Sequence, residues 1–513
     1  MLGKGRDTIL TPYKEITRDN IFKILPEAYK LFLDNANDCD FLLNYDAGDQ
    51  PLKRSSEKKV MEWIDVQTVD NVAHEVSDFW IGFGWGNPIS LTLRGDADKE
   101  KSEGVKQLNY AYSAAGGAIN LQKIANYVTK CGHCYTLIDI NQDYEEGEAQ
   151  FTRDVLDPRN AFLVRSSSWA DRRVLMGVTF ATDNDGNLLM TCYTKDERFF
   201  VFAENLNKKG ATKTEDVAKK FNFYLDPHYA IETNFLGRVP IVEWYQTVDR
   251  KGMFETQIPA LDNINLLVSD IGNGVEQNIQ AIWWANNVEF PTKVVKDAEG
   301  NEVEVPDKPK SGDWVSTQSN KDGGNPTIQP LVIDYHLEDM QKSYTEQRSL
   351  VLQKCHVPQR NDNSGGSTGV AMDSAAGWAD AESIASSHEE IIKSCQLDEL
   401  KVVLRAIKES PDTAPDNPML KLYANDIIPA IRRPKNSDIA SKCNGITTLL
   451  SHGFSIEDVL SAIAFFPDAT QTINRSKNGV DEYQKSKVFG DGESEGRTMA
   501  DLSDQVQNSP ILK

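Results

Sequence analysis

Residues 257–286 read QIPALDNINLLVSDIGNGVEQNIQAIWWAN, and this stretch decides the architecture that the sequence predicts. Its apolar residues recur every three or four positions and so share one face of a helix; they are Ile258, Leu261, Ile264, Val268, Ile271, Val275, Ile279 and Ile282. Thr256 can cap the start of this helix, and Pro259 is tolerated in its first turn. At about 1.5 Å per residue, the helix would span roughly 45 Å. Gly272 and Gly274 indicate either a bend in the helix or a close contact with a neighbouring helix; alternatively, they are merely tolerated there.

The composition changes after this helix. Short apolar runs alternate with turn sequences through residues 287–335, which predicts a small β-module that protrudes between two helices. The predicted strands contain Val294-Val295, Val303 with Val305, Trp314-Val315 and Leu331-Val332-Ile333. A second helix is predicted from His336 to Val357, and Pro358 ends it.

A polar loop and a very long third helix follow. Residues 358–369, PQRNDNSGGSTG, are rich in glycine and polar side chains, which predicts a flexible loop, and an ordinary surface loop is the simplest interpretation. The third helix is predicted from Val370 to Ser410, where Pro411 stops it, and would be about 60 Å long if straight. Gly377 and the Ser386-Ser387 pair are the expected kink points.

Three short motifs lie in the same order and spacing as in a known family. Residues 40–51, DFLLNYDAGDQP, resemble the "YY.G.QPI" motif of phage portal proteins, and residues 235–243, FLGRVPIVE, resemble their "GRVPIIEF" strand. Residues 367–372, STGVAM, are similar to the small-residue segment that opens the long helix of these proteins. With the helix order above, the chain resembles the large siphophage-type portal protein of tailed double-stranded DNA phages from about Ile16 to Lys487.

The resemblance implies an α+β portal fold with a wing, long stem helices, a small β-containing clip and a helical crown. It divides the chain into a wing (1–256), a first stem helix (257–286), a clip (287–335), a second stem helix (336–357), a tunnel loop (358–369), a long kinked wing helix (370–410), a wing strand with the crown (411–487) and a tail (488–513). The polar, acidic composition of that tail predicts disorder. The usual Glu-rich helix after the crown is replaced by residues 468–475, DATQTINR.

The resemblance also implies a mechanical function. About a dozen copies would form a dodecameric ring at one capsid vertex, a head-tail connector through which double-stranded DNA is packaged and ejected. The expected partners are the terminase packaging motor, a head-tail adaptor, and the major capsid and scaffolding proteins. The expected location is the virion, with the host cytoplasm during assembly, and neither a cofactor nor a catalytic activity is expected.

Candidate site residues follow from the stem, loop and clip. The residues expected to face DNA are Lys342, Arg348, Lys354, Arg360, Asn361, Asp362, Asn363 and Ser364. The residues expected to bind the motor and the connectors are Lys293, Lys296, Lys308, Lys310 and Trp314. For each basic residue of the stem, a solvated helix face is an equally good interpretation.

Composition sets broad limits. The chain has 513 residues and a net charge of −22, so it lacks the overall basic character of a tight nucleic-acid binder. An acidic wall would suit a conduit along which DNA slides, although ordinary acidic solubility is the preferred explanation of the charge alone. No apolar run approaches about 18 residues, so no membrane span is expected. The first ten residues lack the apolar segment of a signal peptide, and seven cysteines fit a reducing compartment.

The wing region mixes helices and strands. Helices are expected over 18–36, 66–82 and 106–130, with extended chain over 42–51 and strands between Phe151 and Tyr245. In the crown region, a strand is expected at Ile427–Ile431 and helices over 436–452 and 456–466.

One motif has the spacing of an enzymatic site, although structural packing is the preferred interpretation of it. Residues 131–134, CGHC, have the C-x-x-C spacing of thiol-disulfide oxidoreductases, which need a thiolate at a helix N-terminus. Here a helix precedes the motif and a strand follows, so the helix dipole would raise the thiol pKa. No second pair completes a metal site, and no G-x-x-x-x-G-K-[ST] phosphate loop is present. The alternatives left open are another connector or minor capsid protein and a thiol-disulfide enzyme.

Overall fold

The computed structural model shows an α+β protein, and the ranges that it describes are 4–52, 65–94, 99–206, 221–279, 282–286, 292–296, 302–306, 327–331, 336–359, 377–431, 433, 439–454, 456 and 459–460. Its helices are α1 (Ile21–Asp46), α2 (Val72–Trp85), α3 (Lys99–Ala114), α4 (Gly117–Cys131), α5 (Ile258–Ile279), α6 (Leu337–Lys354), α7 (Trp378–Glu409) and α8 (Ile439–Ser451). No helix in the described part of the chain has both the length and the apolar character required to cross a membrane.

The strands form five sheets within the described residues. Their bounds are β1 (Ile9–Thr11), β2 (Ser90–Leu93), β3 (His133–Ile140), β4 (Phe151–Leu156), β5 (Ala161–Ser166), β6 (Val174–Thr182), β7 (Leu188–Tyr193), β8 (Glu197–Asn205), β9 (Phe221–Leu225), β10 (Glu232–Thr233), β11 (Ile241–Tyr245), β12 (Ile282–Asn286), β13 (Thr292–Lys296), β14 (Glu302–Pro306), β15 (Thr327–Leu331) and β16 (Ile427–Ala430).

A seven-stranded sheet in the order β1-β5-β6-β7-β8-β10, with β9 also on β8, is covered on one face by α1. The aromatic rings of the two layers interlock: Phe32 stacks on Phe162 at 4.8 Å, and Tyr29 meets Phe180 edge-on at 5.8 Å. The expected break after residue 36 is wrong. Because Cys39, Leu42 and Tyr45 continue the buried face, α1 extends to Asp46.

The region expected to form one helix over 106–130 forms two. Gly116 lies between α3 and α4 with a φ of 75°, a left-handed conformation that glycine adopts without steric cost. This turn lets α4 pack against α2 and deliver the chain into β3.

A buried ion pair attaches α7 to the three-stranded sheet β11-β3-β4. The Arg153 Nε atom of β4 lies 2.8 Å from Glu399 Oε1 of α7, and both side chains are almost wholly buried. Thr136 Oγ1 and Trp244 Nε1 donate hydrogen bonds of 2.8 and 2.9 Å to the other carboxylate oxygen. Every charge in this cluster therefore has partners, which offsets the cost of its burial.

The expected helix over 257–286 is too long at its C-terminal end. Helix α5 ends at Ile279, and Ile282–Asn286 forms β12, which pairs antiparallel with β15. The β-branched and aromatic side chains of Ile282, Trp283 and Trp284 favour a strand once a partner strand is present. The strand-containing insert consequently begins before residue 287, the start expected from the sequence.

The remaining expectations differ in detail. Strands β13 and β14 confirm the strands predicted at Val294-Val295 and at Val303 with Val305, and they pair as an antiparallel hairpin. Strand β15 lies earlier than the predicted Leu331–Ile333. Trp314 lies outside the described residues. Gly377 precedes α7 with a φ of 86°, and α7 then runs through Ser386 and Ser387 without interruption. Strand β16 confirms the strand predicted at Ile427–Ile431 and pairs with β2. Residues 370–376, most of 456–466 and the tail lie outside the described residues.

Candidate functional site

Helices α5 and α6 pack together at the centre of one apolar cluster. Leu261 and Ile264 of α5 share it with Val351 and Leu352 of α6, and all four side chains are buried. Helices α1, α2 and α7 complete the cluster, so the N-terminal half of α5 and the C-terminal half of α6 are anchored in the body of the protein. From this base the chain passes from α5 through strands β12 to β15 and returns in α6.

A polar stripe on α5 binds a neighbouring chain segment, residues 65–70, which we call the clasp. Asn265, Ser269 and Asn273 are spaced four residues apart and therefore face the same side of the helix. Asn265 Oδ1 accepts from Asp70 N at 2.9 Å, Ser269 Oγ accepts from Thr68 N at 3.0 Å, and Asn273 Oδ1 accepts from Val66 N at 2.8 Å.

The same stripe also donates to the clasp. Asn273 Nδ2 donates to Val66 O at 3.4 Å, while the single hydroxyl proton of Ser269 is shared between Asn265 O at 2.8 Å and Thr68 O at 3.2 Å. The N–H groups of Val66, Thr68 and Asp70 are thereby satisfied without a β-sheet. The sequence analysis missed these three residues, although their four-residue spacing beside the apolar stripe was a signal that could have identified them.

Gly272 of α5 permits this close approach. A Cβ atom on Gly272 would lie 2.9 Å from Val66 Cγ1, which is closer than two carbon atoms normally approach. Of the roles that the sequence left open for this glycine, the structure supports a close contact.

The clasp is bound to α6 as well. Tyr344 Oη donates to Asp70 Oδ2 at 2.8 Å, and Arg348 Nε lies 3.5 Å from the same oxygen. Arg348 Nη2 also pairs with Glu75 on α2. Burial and the Asp70 carboxylate raise the pKa of Tyr344, so its hydroxyl stays a donor at neutral pH. Asp70 is therefore held by both helices, through its backbone by α5 and through its side chain by α6.

The basic residues predicted on α6 have different surroundings. Lys342 has a side chain that is 75% exposed, with Nζ 4.0 Å from Glu346 Oε1, and Lys354 is also exposed. Arg348 is 32% exposed, and its guanidinium contacts two carboxylates. The other predicted DNA-facing residues, 360–364, lie outside the described residues.

The predicted partner-binding residues lie partly in the β13–β14 hairpin. Lys293 is exposed on β13, and Lys296 stands opposite Glu302 in the strand register. Lys308, Lys310 and Trp314 lie outside the described residues. The structure adds Trp284 on β12, which is 43% exposed, and the exposed Val294 and Val303 of the hairpin. The sequence analysis did not single out these exposed apolar side chains as partner-binding residues.

Contacts around the end of α6 join it to α2 and α7. Trp80 Nε1 donates to Cys355 O at 2.9 Å, and His356 Nδ1 lies 2.6 Å from Asp380 Oδ2. Gln359 Nε2 donates to Ser349 O at 2.5 Å, while Ser349 Oγ donates to Gln359 Oε1 at 2.6 Å. His356 has a φ of 57°, a strained value for a residue with a Cβ, and these contacts hold it there.

The C-x-x-C motif does not form a redox site. Helix α4 ends at Cys131, and both Cys131 and Cys134 are fully buried, which raises the pKa of each thiol well above its usual value. The Cys131 thiol faces the Cys39 carbonyl at 3.8 Å, whereas Cys134 packs in the same cluster as Cys395. An enzymatic C-x-x-C needs an accessible thiolate, so this environment argues against the enzyme alternative. Within the described residues, no group of His, Cys, Asp or Glu side chains could hold a metal ion.

The chain matches one protein family over most of its length. The family is described as "Phage portal protein, SPP1 Gp6-like", and the match covers residues 36–486. A solved structure described as the neck of an empty GTA particle computed with C6 symmetry shares 10% sequence identity, covers 78% of this chain and 91% of that chain, and has a TM-score of 0.41. No curated protein gives a significant match.

Proposed function

Because the chain belongs to the SPP1 Gp6-like family of phage portal proteins, we propose that its copies form a ring around a central channel at one capsid vertex. The family consists of structural, non-enzymatic proteins. In this proposal, DNA enters the capsid through the channel during packaging and leaves through it during ejection. Membership of the portal family also favours this function over that of another shell component.

The α5–α6 pair is the structural observation that carries the proposal. The two helices are anchored side by side, and a strand-containing insert lies between them in the chain. A ring of such pairs would place helices along the channel and the insert at one end. About a dozen copies would close the ring, with heterologous contacts between neighbouring copies.

The sequence-based domains enter the proposal with one adjusted boundary. The wing (1–256), the long wing helix (370–410), and the wing strand and crown (411–487) keep their proposed roles, and the tunnel loop (358–369) would contact moving DNA through Arg360 and residues 361–364. The first stem helix would end with α5 at Ile279, so that β12 belongs to the clip. Lys342 and Lys354 would meet DNA phosphates transiently, because their ammonium groups are exposed.

The clip would bind different partners one after another. Lys293, Lys296, Lys308, Lys310 and Trp314 are the proposed contacts to the packaging motor and later to the tail connectors. Exposed valines between the lysines of β13 support such a surface, because interfaces combine apolar centres with a charged rim. The capsid and scaffolding proteins would contact the ring from outside.

Negative-stain electron microscopy, with the mass in solution measured in parallel, tests the proposal. Rings of about a dozen subunits with a central hole are expected, either from the purified protein or after co-expression with its capsid and scaffolding proteins. A protein that remains a compact monomer under both conditions would contradict the proposal.

A further inference from the structure

Asp70 of the clasp contacts both α5 and α6, the two helices proposed to line the channel. Its backbone N–H donates to Asn265 of α5, and its carboxylate accepts from Tyr344 of α6 and faces Arg348. The neighbouring hydrogen bonds of Thr68 and Val66 to α5 keep the clasp in place along that helix. A displacement of α6 relative to α5 would therefore break a contact of Asp70 on one side or the other.

Arg348 is already engaged inside the subunit. Its Nε atom faces Asp70, and its Nη2 atom pairs with Glu75. Two carboxylates around one guanidinium leave this position with a net negative charge, which does not attract a phosphate. Lys342 differs, because its single carboxylate neighbour is 4.0 Å away and its side chain is 75% exposed.

We propose that Arg348 is a positioning residue of the α5–α6 pair rather than a contact to DNA. Arg348 and Tyr344 bind α6 to the clasp, the Asn265–Ser269–Asn273 stripe binds α5 to it, and Asp70 thereby sets the spacing of the two helices. This inference rests on the proposed function, because the spacing matters for DNA only if the two helices line a channel.

A double-mutant cycle tests the assignment. The variants are Asp70→Asn, Arg348→Gln and the double variant, with melting temperature measured on the purified full-length protein. Each single variant is expected to lower the melting temperature by about 1 °C, and the double variant to lower it by less than the sum, since the two side chains share one interaction. Additive shifts, or no shift for Arg348→Gln, would overturn the assignment.

DNA packaging into capsids provides the readout that separates positioning from DNA contact. Asp70→Asn and Arg348→Gln are expected to lower the packaged yield by similar factors. If Arg348 touched DNA, Arg348→Gln would lower the yield with an unchanged melting temperature, and Asp70→Asn would not reproduce the loss. That pattern would also overturn the proposal.

Two further variants keep the test decisive if the first ones fold poorly. Tyr344→Phe removes only the hydroxyl that binds Asp70 and should give a smaller loss of the same kind, while Arg348→Lys should partly restore both readouts. Gln353→Ala, at an exposed position on α6, is the control. The melting temperatures of the double-mutant cycle are measured on unassembled protein, so they test this assignment by itself. The absence of rings would instead contradict the proposed function.

Discussion

Arg153 Nε and Glu399 Oε1 lie 2.8 Å apart across 246 positions of sequence, at a point where both side chains are buried. The pair joins β4 to the middle of α7. Burial alone would lower the pKa of Arg153, but the Glu399 carboxylate raises it overall, so the guanidinium stays charged. The rings of Tyr112 and Trp244 lie 5.7 and 5.8 Å from this guanidinium and complete its surroundings.

Glu399→Gln should destabilise the protein strongly. The substitution leaves the Arg153 charge buried without a counter-charge, which typically costs about 3–5 kcal/mol. Urea denaturation followed by tryptophan fluorescence measures the loss. Asp398→Asn, which removes an exposed carboxylate one residue earlier, is the matched control and should change stability by less than about 1 kcal/mol. Equal effects of the two variants would refute a special role for the pair.

Gly272→Ala should destabilise the protein although alanine favours helices. The new methyl group would meet Val66 Cγ1, and overpacking of this kind costs about 1–3 kcal/mol. Val66→Ala in the same chain should recover much of the loss. Gly82→Ala on α2 is the control: a Cβ there meets nothing within 4 Å, so a gain of about 0.5–1 kcal/mol is expected. Melting curves of the four proteins measure these changes.

The protein should lose stability as the pH falls from about 6.5 to about 4. Burial lowers the pKa of His388 to about 4, assisted by the nearby His356, and burial lowers the pKa of His133 to about 4 against the opposing effect of Glu243. In this window the unfolded chain binds protons that the folded chain does not. The contribution of these two histidines to the free energy of unfolding is therefore fully present above pH 6.5. It declines between pH 6.5 and pH 4, by roughly 1 kcal/mol per pH unit for each histidine.

His388→Gln should reduce the slope of this dependence by about half, because glutamine does not titrate and His133 still contributes. Melting temperatures between pH 4.5 and pH 7.5 give the comparison. His228→Gln, at an exposed position, is the control and should retain the wild-type slope. A wild-type slope in the His388→Gln variant would show that another group causes the acid sensitivity.

One thiol per chain should react rapidly with Ellman's reagent under native conditions. Cys443 on α8 is exposed, whereas the other six cysteines are buried. Burial also raises the pKa of the Cys131 and Cys134 thiols and so removes the reactive thiolate. Cys443→Ser should abolish the rapid phase. Rapid reaction of two further thiols in that variant, lost again in Cys131→Ser with Cys134→Ser, would revive the redox alternative.

Deleting Asn361–Gly366 should leave ring assembly intact and abolish DNA packaging. The prediction follows from the role proposed for residues 358–369, and its measurements are electron microscopy of the rings and the yield of packaged DNA. Replacing the same six residues with a glycine-serine run of equal length separates the loss of side chains from the shortening of the chain. Wild-type packaging by the deletion variant would remove these residues from the mechanism.

The order of helix, strand-containing insert, helix and long helix was predictable, because each helix carries its own apolar periodicity. The C-terminal end of α5 was not. Ile279 and Ile282 continue the helical spacing, and the strand that interrupts it forms only by pairing with residues 327–331, far along the chain. Likewise, Asp46 ends α1 after a buried face that continues through Leu42 and Tyr45, which the sequence analysis took for extended chain.

The apolar base of the candidate site was predictable, but the polar part was not. Residues 66–70 were predicted to begin a helix over 66–82, which is wrong: α2 begins at Val72, and residues 65–70 instead bind side chains about two hundred positions away. The charge of Arg348 suggested a phosphate contact, since a sequence displays the cation but not the carboxylates of Asp70 and Glu75 that fold against it.

The contacts on α5 and those on the clasp repeat at nearly the same distance. Four residues of an α-helix advance about 6.0 Å, and two residues of an extended chain advance about 6.6 Å. The two repeat distances therefore match over the three contacts at Asn265, Ser269 and Asn273, and would diverge over a longer segment. Sliding α5 by one residue would misalign all three contacts at once, so the clasp fixes the axial position of this helix.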